Sequence, residues 1–263
     1  MSTEVPSPWL RGYFPRPRAR LRVVFFPHGG GSASFYRPLA RDLPDEVEGW
    51  VVQYPGREDR IGDPCCTDMP GLVEPLAKAL AYLDDRPVWF FGHSMGASVA
   101  HEITRLLGAV GGTLPERLVV SGRPGPARQR PDDKHLDDDR LWDDVCSLGG
   151  TDEQLLRLPG VREMALPALR ADYRLVGTYR PPPGRDLSVP VSVCYGTEDP
   201  EVDAEDAAAW AAATSADTEL VRFPGGHFYL RGDAQAALTA WLEQRLRGRP
   251  RNAPTDPAGR NRG

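Results

Sequence analysis

The stretch VWFFGHSMGASV, residues 88–99, decides the fold class because a short apolar run passes into a helical pattern through a glycine-containing turn. Its first four residues are β-branched or aromatic, which predicts a buried strand. Gly92, Ser94 and Gly96 then form a GxSxG motif, and the helical pattern begins at Ser94. This order is typical of a nucleophile elbow, where a strained turn exposes a serine hydroxyl and larger residues at the glycine positions would collide. The alternative is a glycine-rich turn with Ser94 as the helix N-cap.

Short apolar runs alternate with helical patterns along the rest of the chain. Strands are predicted at residues 21–26, 50–54, 88–91, 117–121, 189–195 and 218–223, and helices at 69–83, 94–107, 203–213 and 233–246. Near-continuous apolar strands separated by helices indicate a mostly parallel sheet with helices on both faces.

One long stretch interrupts this alternation. Residues 123–186 contain no convincing strand, and helical patterns cover residues 141–147, 152–158 and 161–178. A helical insertion between two strands of such a sheet often covers the active site, so we predict a lid. The chain then divides into an N-terminal extension at 1–20, a main domain at 21–247 and a tail at 248–263, whose Pro, Gly, Arg and Asn content predicts disorder.

Composition and charge exclude several functional classes. The 263 residues are 40% hydrophobic and 26% charged, which suits a folded domain, and the net charge of −5 argues against nucleic-acid binding through overall basicity. No apolar run approaches the ~20 residues that span a bilayer, and the N-terminus lacks the apolar core of a secretory signal. We therefore expect a cytoplasmic protein with no membrane contact. The four cysteines form no CxxC pair, so neither a metal site nor a disulfide framework is expected.

A serine hydroxyl needs a general base and an orienting acid, which in this type of sheet follow it in the order acid, then histidine. Of the five histidines, only His135 and His227 follow Ser94 beyond its own helix. His227 lies in a glycine-rich loop after the last predicted strand, at the sheet edge where Ser94 also emerges. The acid is expected after the preceding strand, where Asp199 is the first choice and Glu198 the competitor.

Two backbone N–H groups are needed to stabilise the oxyanion of a tetrahedral intermediate. One is expected from Met95, directly after the nucleophile, and the other from the loop HGGGS at 28–32. Gly29 is the first choice in that loop, and His28 is the next candidate. A phosphate-binding loop is disfavoured because neither a GK[ST] ending nor GxGxxG spacing is present.

These motifs together resemble the type II thioesterases, the discrete thioesterases of polyketide and nonribosomal peptide synthetases. The resemblance runs from residue 21 to 246 and rests on FPHGGGSASFY at 26–36, QYPGREDR at 53–60, GHSMGA at 92–97 and the loops at 196–200 and 225–230. The PGRE tetrapeptide at 55–58 is the most discriminating of these, because general esterases lack it.

The resemblance implies an α/β-hydrolase fold, with a mostly parallel central sheet flanked by helices and a helical lid insertion. It implies Ser94 as nucleophile, Asp199 as acid and His227 as base. The implied activity is hydrolysis of acyl groups from the phosphopantetheine arm of acyl-carrier or peptidyl-carrier proteins, which removes aberrant acyl units without a metal or organic cofactor. Many members of the family have Ala in place of Gly29, a difference that leaves the backbone N–H available.

Other functions use the same residues differently. A general carboxylesterase or lipase would apply this triad to free small-molecule esters, and a non-catalytic hydrolase-fold module would only bind. A synthase-embedded cyclising thioesterase is a further alternative, although we expect no upstream carrier domain and therefore a monomeric, discrete hydrolase.

Three further groups of residues have local interpretations. The PGRE segment is interpreted as a turn in which Arg57 and Glu58 form a structural ion pair. The candidates for docking an acidic carrier protein are Arg123, Arg128 and Arg130, and those for lining an acyl pocket are Leu155, Leu158 and Met164.

Overall fold

The computed structural model describes residues 7–150, 153–182, 184, 186–232 and 234–248. Its centre is a seven-stranded sheet with strands β1 (Leu10–Arg11), β2 (Leu21–Phe26), β3 (Val47–Val52), β4 (Val88–His93), β5 (Arg117–Ser121), β6 (Val191–Gly196) and β7 (Thr218–Phe223). Their spatial order is β1-β3-β2-β4-β5-β6-β7. All neighbours are parallel except β1, which pairs antiparallel with β3. The mostly parallel sheet is therefore confirmed.

Eight α-helices are described: α1 (Arg37–Arg41), α2 (Met69–Leu80), α3 (Met95–Ala109), α4 (Asp138–Leu148), α5 (Glu153–Leu156), α6 (Val161–Thr178), α7 (Ala204–Ala208) and α8 (Ala234–Arg247). Short 3₁₀ helices cover Ala33–Tyr36, Glu58–Arg60, Ala81–Leu83, Pro126–Arg128, Lys134–Leu136 and Ala209–Ala212. No described helix is both long and apolar enough to cross a membrane.

The buried strands supply apolar side chains to two cores, one on each face of the sheet. On β2, Val24 and Phe26 face the core that includes side chains of α2 and α3, whereas Val23 and Phe25 face the core shared with α1 and α8. Successive side chains of a strand point to opposite faces, so an uninterrupted apolar run is needed when both faces are covered. The continuous run LRVVFF meets that requirement.

The first strand was not predicted from the sequence. Leu10 and Arg11 lie in the segment interpreted as an N-terminal extension, yet they pair with Val52 and Val51, and Leu10 is buried. Two residues are too few to show any periodicity, so only the docked partner strand reveals them. The tail that was predicted to be disordered lies outside the described residues from position 249 onward.

The insertion between β5 and β6 is helical, and no strand occurs in its described residues, 123–150, 153–182, 184 and 186. Its acidic stretch begins α4, where the Asp137 side chain accepts hydrogen bonds from the N–H groups of Asp139 and Arg140. Leu141 of α4 packs against Leu166 and Leu169 of α6. The two helices therefore form a small apolar core of their own beside the main domain.

Candidate active site

The turn between β4 and α3 is strained at Ser94, which has φ 52° and ψ −118°. A Cβ atom at Gly92 would lie 2.2 Å from the Gly96 carbonyl oxygen, and one at Gly96 would lie 1.9 Å from the Phe26 carbonyl oxygen. Both positions therefore exclude side chains, as the GxSxG motif predicts. The backbone N–H of Ser94 donates to the Ser121 carbonyl at 2.8 Å, which holds the turn against the end of β5.

His227 and Asp199 meet at the carboxyl ends of β6 and β7, where parallel strands bring their following loops together. The imidazole Nδ1 lies 2.9 Å from Asp199 Oδ2 and 3.0 Å from Oδ1. Their side chains are 1% and 0% exposed, so water does not compete for this contact. A proton on Nδ1 leaves Nε2 as the acceptor nitrogen of the ring. Glu198, the competing acid, is exposed to solvent.

Ser94 and His227 open onto the same cavity, which has a volume of about 390 Å³. The turn after β4 supplies Ser94 to this cavity and the loop after β7 supplies His227. His135, the other histidine that follows α3, does not line it. The arrangement can therefore support attack by Ser94 on a carbonyl with His227 as proton acceptor.

The loop at 28–31 leaves one N–H free to face this cavity. Three of its N–H groups are hydrogen bonded: His28 to the Tyr36 hydroxyl at 3.3 Å, Gly30 to Asp172 Oδ2 at 2.7 Å and Gly31 to the His28 carbonyl at 2.9 Å. The N–H of Gly29 has no partner among the described residues, and Gly29 lines the cavity. Of the two candidates in this loop, Gly29 is the one with an available donor.

Met95 supplies the second available donor. It is the first residue of α3, so its N–H has no acceptor within the helix, and it lines the same cavity as Ser94. The positive end of the helix dipole lies at the same point, which favours negative charge there. Gly29 and Met95, whose N–H groups have no partner among the described residues, thus line the same cavity as Ser94.

Two further buried histidine rings belong to the site: His93, which was not predicted there, and His28, which was expected only as a possible backbone donor of the loop. The His93 ring lies 4.9 Å from the His227 ring, and its Nδ1 is 2.8 Å from the Ser121 hydroxyl, which in turn is 2.6 Å from the Tyr229 hydroxyl. Burial, followed by the charge of His227, lowers the pKa of His93 well below its ordinary value and that of His28 to about 3. Both rings are therefore neutral at pH 7 and add no positive charge to the site.

The interpretation of the PGRE segment is wrong in one respect: Arg57 pairs with Asp172 and not with Glu58. Arg57 Nη1 and Nη2 lie 2.9 Å from Asp172 Oδ2 and Oδ1, respectively. Glu58 instead accepts a hydrogen bond from the Ser34 hydroxyl. The partner could not be found from the sequence because Asp172 lies 115 residues away, on α6 of the insertion.

Charged residues of both signs surround the cavity. Arg128 pairs with Asp206 at 2.5 Å and Lys134 with Asp144 at 2.6 Å. Arg123 donates to the Ser98 hydroxyl at 3.0 Å and to Gln129 Oε1 at 3.2 Å. Arg130 lines the cavity, is exposed and has no ion-pair partner in the described part of the chain.

The apolar part of the lining differs from the sequence-based expectation. Leu158 and Met164 are 53% and 64% exposed and do not line the cavity, and the side chain of Leu155 lies outside the described part. The apolar lining comes instead from Leu148, Val176 and Phe228. Helical spacing could not reveal which side of the insertion faces the sheet. The described residues contain no cluster of three or more His, Cys, Asp or Glu side chains that could hold a metal ion.

The chain matches a protein-family model described as the thioesterase domain over residues 21–246. A probable cadicidin biosynthesis thioesterase from Streptomyces griseus is 41% identical over 232 residues, which cover 88% of this chain and 64% of that relative. The chain therefore spans less than two thirds of that relative's length. The thioesterase PikA5 from Streptomyces venezuelae is 39% identical over 224 residues, covering 84% of this chain and 80% of the relative.

A solved structure has the same architecture. It is the type II thioesterase BorB from the borrelidin biosynthetic cluster, with 40% sequence identity and a TM-score of 0.82. The match covers 90% of this chain and 97% of that structure.

Proposed function

Because this chain belongs to the thioesterase family, we propose that it hydrolyses acyl groups from the phosphopantetheine arm of carrier proteins in a polyketide or nonribosomal peptide synthetase. The resemblance to type II thioesterases, the α/β-hydrolase fold and the serine-hydrolase class are confirmed by the family match and the relatives. The observation that carries the proposal is the buried Asp199–His227 pair, whose imidazole lines one cavity with Ser94, Gly29 and Met95.

The first chemical step transfers the acyl group to the enzyme. Asp199 holds the proton on His227 Nδ1, so Nε2 takes the proton of the Ser94 hydroxyl as its oxygen attacks the thioester carbonyl. The N–H groups of Gly29 and Met95 stabilise the oxyanion, and the Asp199 carboxylate stabilises the imidazolium. When the intermediate collapses, the C–S bond breaks and His227 returns the proton to the pantetheine sulfur.

The second step releases the acid. A water molecule gives a proton to His227 and attacks the ester carbonyl of acyl-Ser94, and the same N–H groups stabilise the second oxyanion. The C–O bond to Ser94 then breaks, and His227 returns the proton to the serine oxygen. The products are a free carboxylic acid and the carrier protein with its arm unloaded, which is what removal of an aberrant acyl unit requires. This route uses no metal or organic cofactor.

The cavity suits the pantetheine arm because its lining combines polar and apolar groups. The arm carries two amides, which need donors and acceptors, and a terminal acyl group, which needs apolar contact. Arg123 and Gln129 can serve the amides, whereas Leu148 and Phe228 offer apolar contact. We propose that the exposed Arg130 at the rim attracts the acidic surface of a carrier protein.

The decisive experiment measures acyl release from an acyl-loaded carrier protein and from an oxygen ester of the same acyl group. We expect the wild type to prefer the carrier thioester, and we expect Ser94→Ala to lose about 10³-fold or more in kcat. Ser215→Ala, an exposed serine outside the cavity, is the matched control and should retain wild-type rates.

Two results would contradict the proposal. Retention of activity in Ser94→Ala would remove the proposed nucleophile. Equal kcat/KM on the oxygen ester and the carrier thioester would instead favour a general carboxylesterase.

We also propose that the protein is a monomer and that it acts in the cytoplasm. Light scattering of the purified protein tests the oligomeric state, and fractionation of producing cells tests the localisation.

A further inference from the structure

The PGRE segment has no part in the chemical steps above, yet its arginine is one of the most enclosed charges in the protein. Arg57 is 6% exposed and its partner Asp172 is 3% exposed. Burial by itself would lower the pKa of Arg57, but the Asp172 carboxylate outweighs this effect and raises it. The guanidinium therefore remains charged and forms a bidentate ion pair with the carboxylate.

This ion pair touches the loop that supplies the free Gly29 N–H. Asp172 Oδ2 accepts the N–H of Gly30 at 2.7 Å, and Arg57 Nη1 lies 3.4 Å from the Gly31 carbonyl oxygen. The ion pair thus binds the backbone directly after Gly29 at two points, the N–H donor of Gly30 and the carbonyl acceptor of Gly31. Because a peptide plane is rigid, fixing Gly30 N–H also fixes the carbonyl of Gly29 and limits rotation of that residue.

Helix α6, which carries Asp172, also packs closely against the same loop. A Cβ atom at Gly30 would lie 2.4 Å from Leu169 Cδ2, and one at Gly29 would lie 3.6 Å from Asp172 Cβ. The loop is therefore enclosed between the PGRE segment and the insertion. Gln53 completes the enclosure, since it accepts the N–H of Ala33 at 2.9 Å and donates to the Arg57 carbonyl at 3.0 Å.

The stability of the fold does not by itself explain why Arg57 and Asp172 form a buried ion pair. A well-packed apolar pair often stabilises a fold as well as a buried ion pair does, because the ions must first be desolvated. Arg57 Nε is also buried without a partner among the described residues, which costs further stability. An apolar pair, however, could not accept the Gly30 N–H. The function specific to the charged pair is therefore to orient the loop backbone.

We propose that Arg57 and Asp172 are positioning residues for the oxyanion hole: by holding Gly30 they aim the Gly29 N–H at the developing oxyanion and join the insertion to it. This inference rests on the proposed function of Gly29. Oxyanion stabilisation is needed only in the transition state, so disturbing the pair should lower kcat and leave KM nearly unchanged.

The experiment compares two double variants on an acyl thioester of pantetheine, which avoids any effect on carrier docking. Arg57→Met with Asp172→Leu removes the acceptor for Gly30 N–H, whereas Arg57→Met with Asp172→Asn keeps an oxygen there. We expect the leucine variant to lose about 10–100-fold in kcat with KM within twofold, because small displacements of a catalytic donor have effects of that size. The asparagine variant should recover most of that loss. Affinity for a boronic acid that forms a tetrahedral adduct with Ser94 should fall in parallel with kcat.

A matched control comes from the other end of the sheet, where Arg22 Nε lies 3.0 Å from Glu48 Oε2 and both residues are buried. Arg22→Met with Glu48→Leu leaves the backbone N–H of Arg16 and the indole N–H of Trp50 without their acceptor, so it should lower the melting temperature and leave kcat within threefold. Arg57→Lys guards against failure of the double variants to fold, and it should lose about 3–10-fold in kcat with unchanged KM.

The outcomes separate the two proposals. Wild-type kcat in the leucine variant or in Arg57→Lys, or equal losses in the leucine and asparagine variants, would overturn the positioning role while leaving the triad intact. A wild type that cleaves neither this thioester nor the carrier substrate would overturn the proposed function, and the positioning role with it.

Discussion

The two ends of the sheet each bury an arginine–carboxylate pair, but the pairs join different kinds of structure. At the amino end, Arg22 of β2 meets Glu48 of β3 at 3.0 Å, and these strands are already paired through their backbones. At the carboxyl end, Arg57 of a loop meets Asp172 of α6, and no β-ladder joins those two segments. At the amino end, the ion pair therefore reinforces two strands that are already hydrogen bonded to each other. At the carboxyl end, it connects two segments that are otherwise separate.

Backbone strain follows the same division. Among the described residues, only Glu58 and Ser94 are non-glycine residues with positive φ, and both follow strands at the carboxyl end. Strain of this kind costs ~1–3 kcal/mol per residue and persists only where surrounding contacts maintain it. At the carboxyl end, the fold therefore tolerates a loss of stability that keeps Glu58 and Ser94 in strained backbone conformations. At the amino end, the contacts only stabilise the fold.

The largest expected effect comes from Asp199→Asn. The amide cannot hold the imidazole in the tautomer that leaves Nε2 free, so kcat should fall about 10³–10⁴-fold. Steady-state kinetics on a pantetheine thioester measures this loss, with circular dichroism to verify the fold. Glu198→Gln, at the exposed neighbouring acid, is the control. A kcat for Asp199→Asn within tenfold of wild type would show that another group orients His227.

Helix α3 offers a glycine near each end of the sheet, and their replacement should have opposite effects. Gly96→Ala places a Cβ against the Phe26 carbonyl oxygen and should destabilise the fold by about 3 kcal/mol and abolish activity. Gly108→Ala meets only Leu114 Cδ2, at 3.8 Å, and should stabilise the helix by about 0.5–1 kcal/mol. Urea denaturation measures both values. Equal effects at the two positions would contradict the division of the sheet into strained and relaxed ends.

The two ends should also lose stability in different pH ranges. Burial lowers the pKa of His93 well below its ordinary value of 6.5, so only the unfolded state takes up a proton as the pH falls below that value. The carboxyl end is thus fully stable above about pH 6.5 and weakens below it. His93→Gln keeps a hydrogen-bonding side chain without the titration, so it should reduce the stability lost between pH 7 and pH 5 by about 1–2 kcal/mol.

Glu48 provides the contrast at the amino end. Burial would raise its pKa, but hydrogen bonds from Arg16 and Arg22 outweigh this effect and lower it from 4.5. Its contribution to stability is therefore present above about pH 4.5 and is lost as the pH falls further. Glu48→Gln should change the pH dependence only in that lower range, as measured by denaturation at each pH. A change between pH 7 and pH 5 in Glu48→Gln, or none in His93→Gln, would contradict this assignment.

The smallest expected effect concerns docking of a carrier protein. Arg130→Glu at the cavity rim should raise KM for an acyl-carrier protein by about 3–10-fold and leave KM for a pantetheine thioester unchanged. Arg20→Glu makes the same charge change at the amino end of the sheet and should affect neither value. The effect of Arg130→Glu on the carrier substrate should shrink at high salt. Equal KM increases for the two variants would indicate a response to net charge and not to a docking surface.

The parallel sheet, the helical character of the insertion and the candidates Ser94, Asp199 and His227 could all be predicted from the amino-acid sequence. These features depend on local requirements: continuous apolar runs for covered strands, glycines around a strained serine, and loops that follow successive strands. Pro200 after Asp199 and the glycines before His227 lie within a few residues of the groups they affect.

Contacts between groups that lie far apart along the chain became visible only in the three-dimensional structure. It added the two-residue strand at Leu10, placed the His93 ring between the rings of His28 and His227, and left the Gly29 N–H without a partner among the described residues. It also paired Arg57 with Asp172 in place of the adjacent Glu58. In the folded protein a charged side chain can reach several oppositely charged residues. Its partner is the one that is buried beside it, and this depends on the packing of distant segments, so no local sequence pattern predicts the pair.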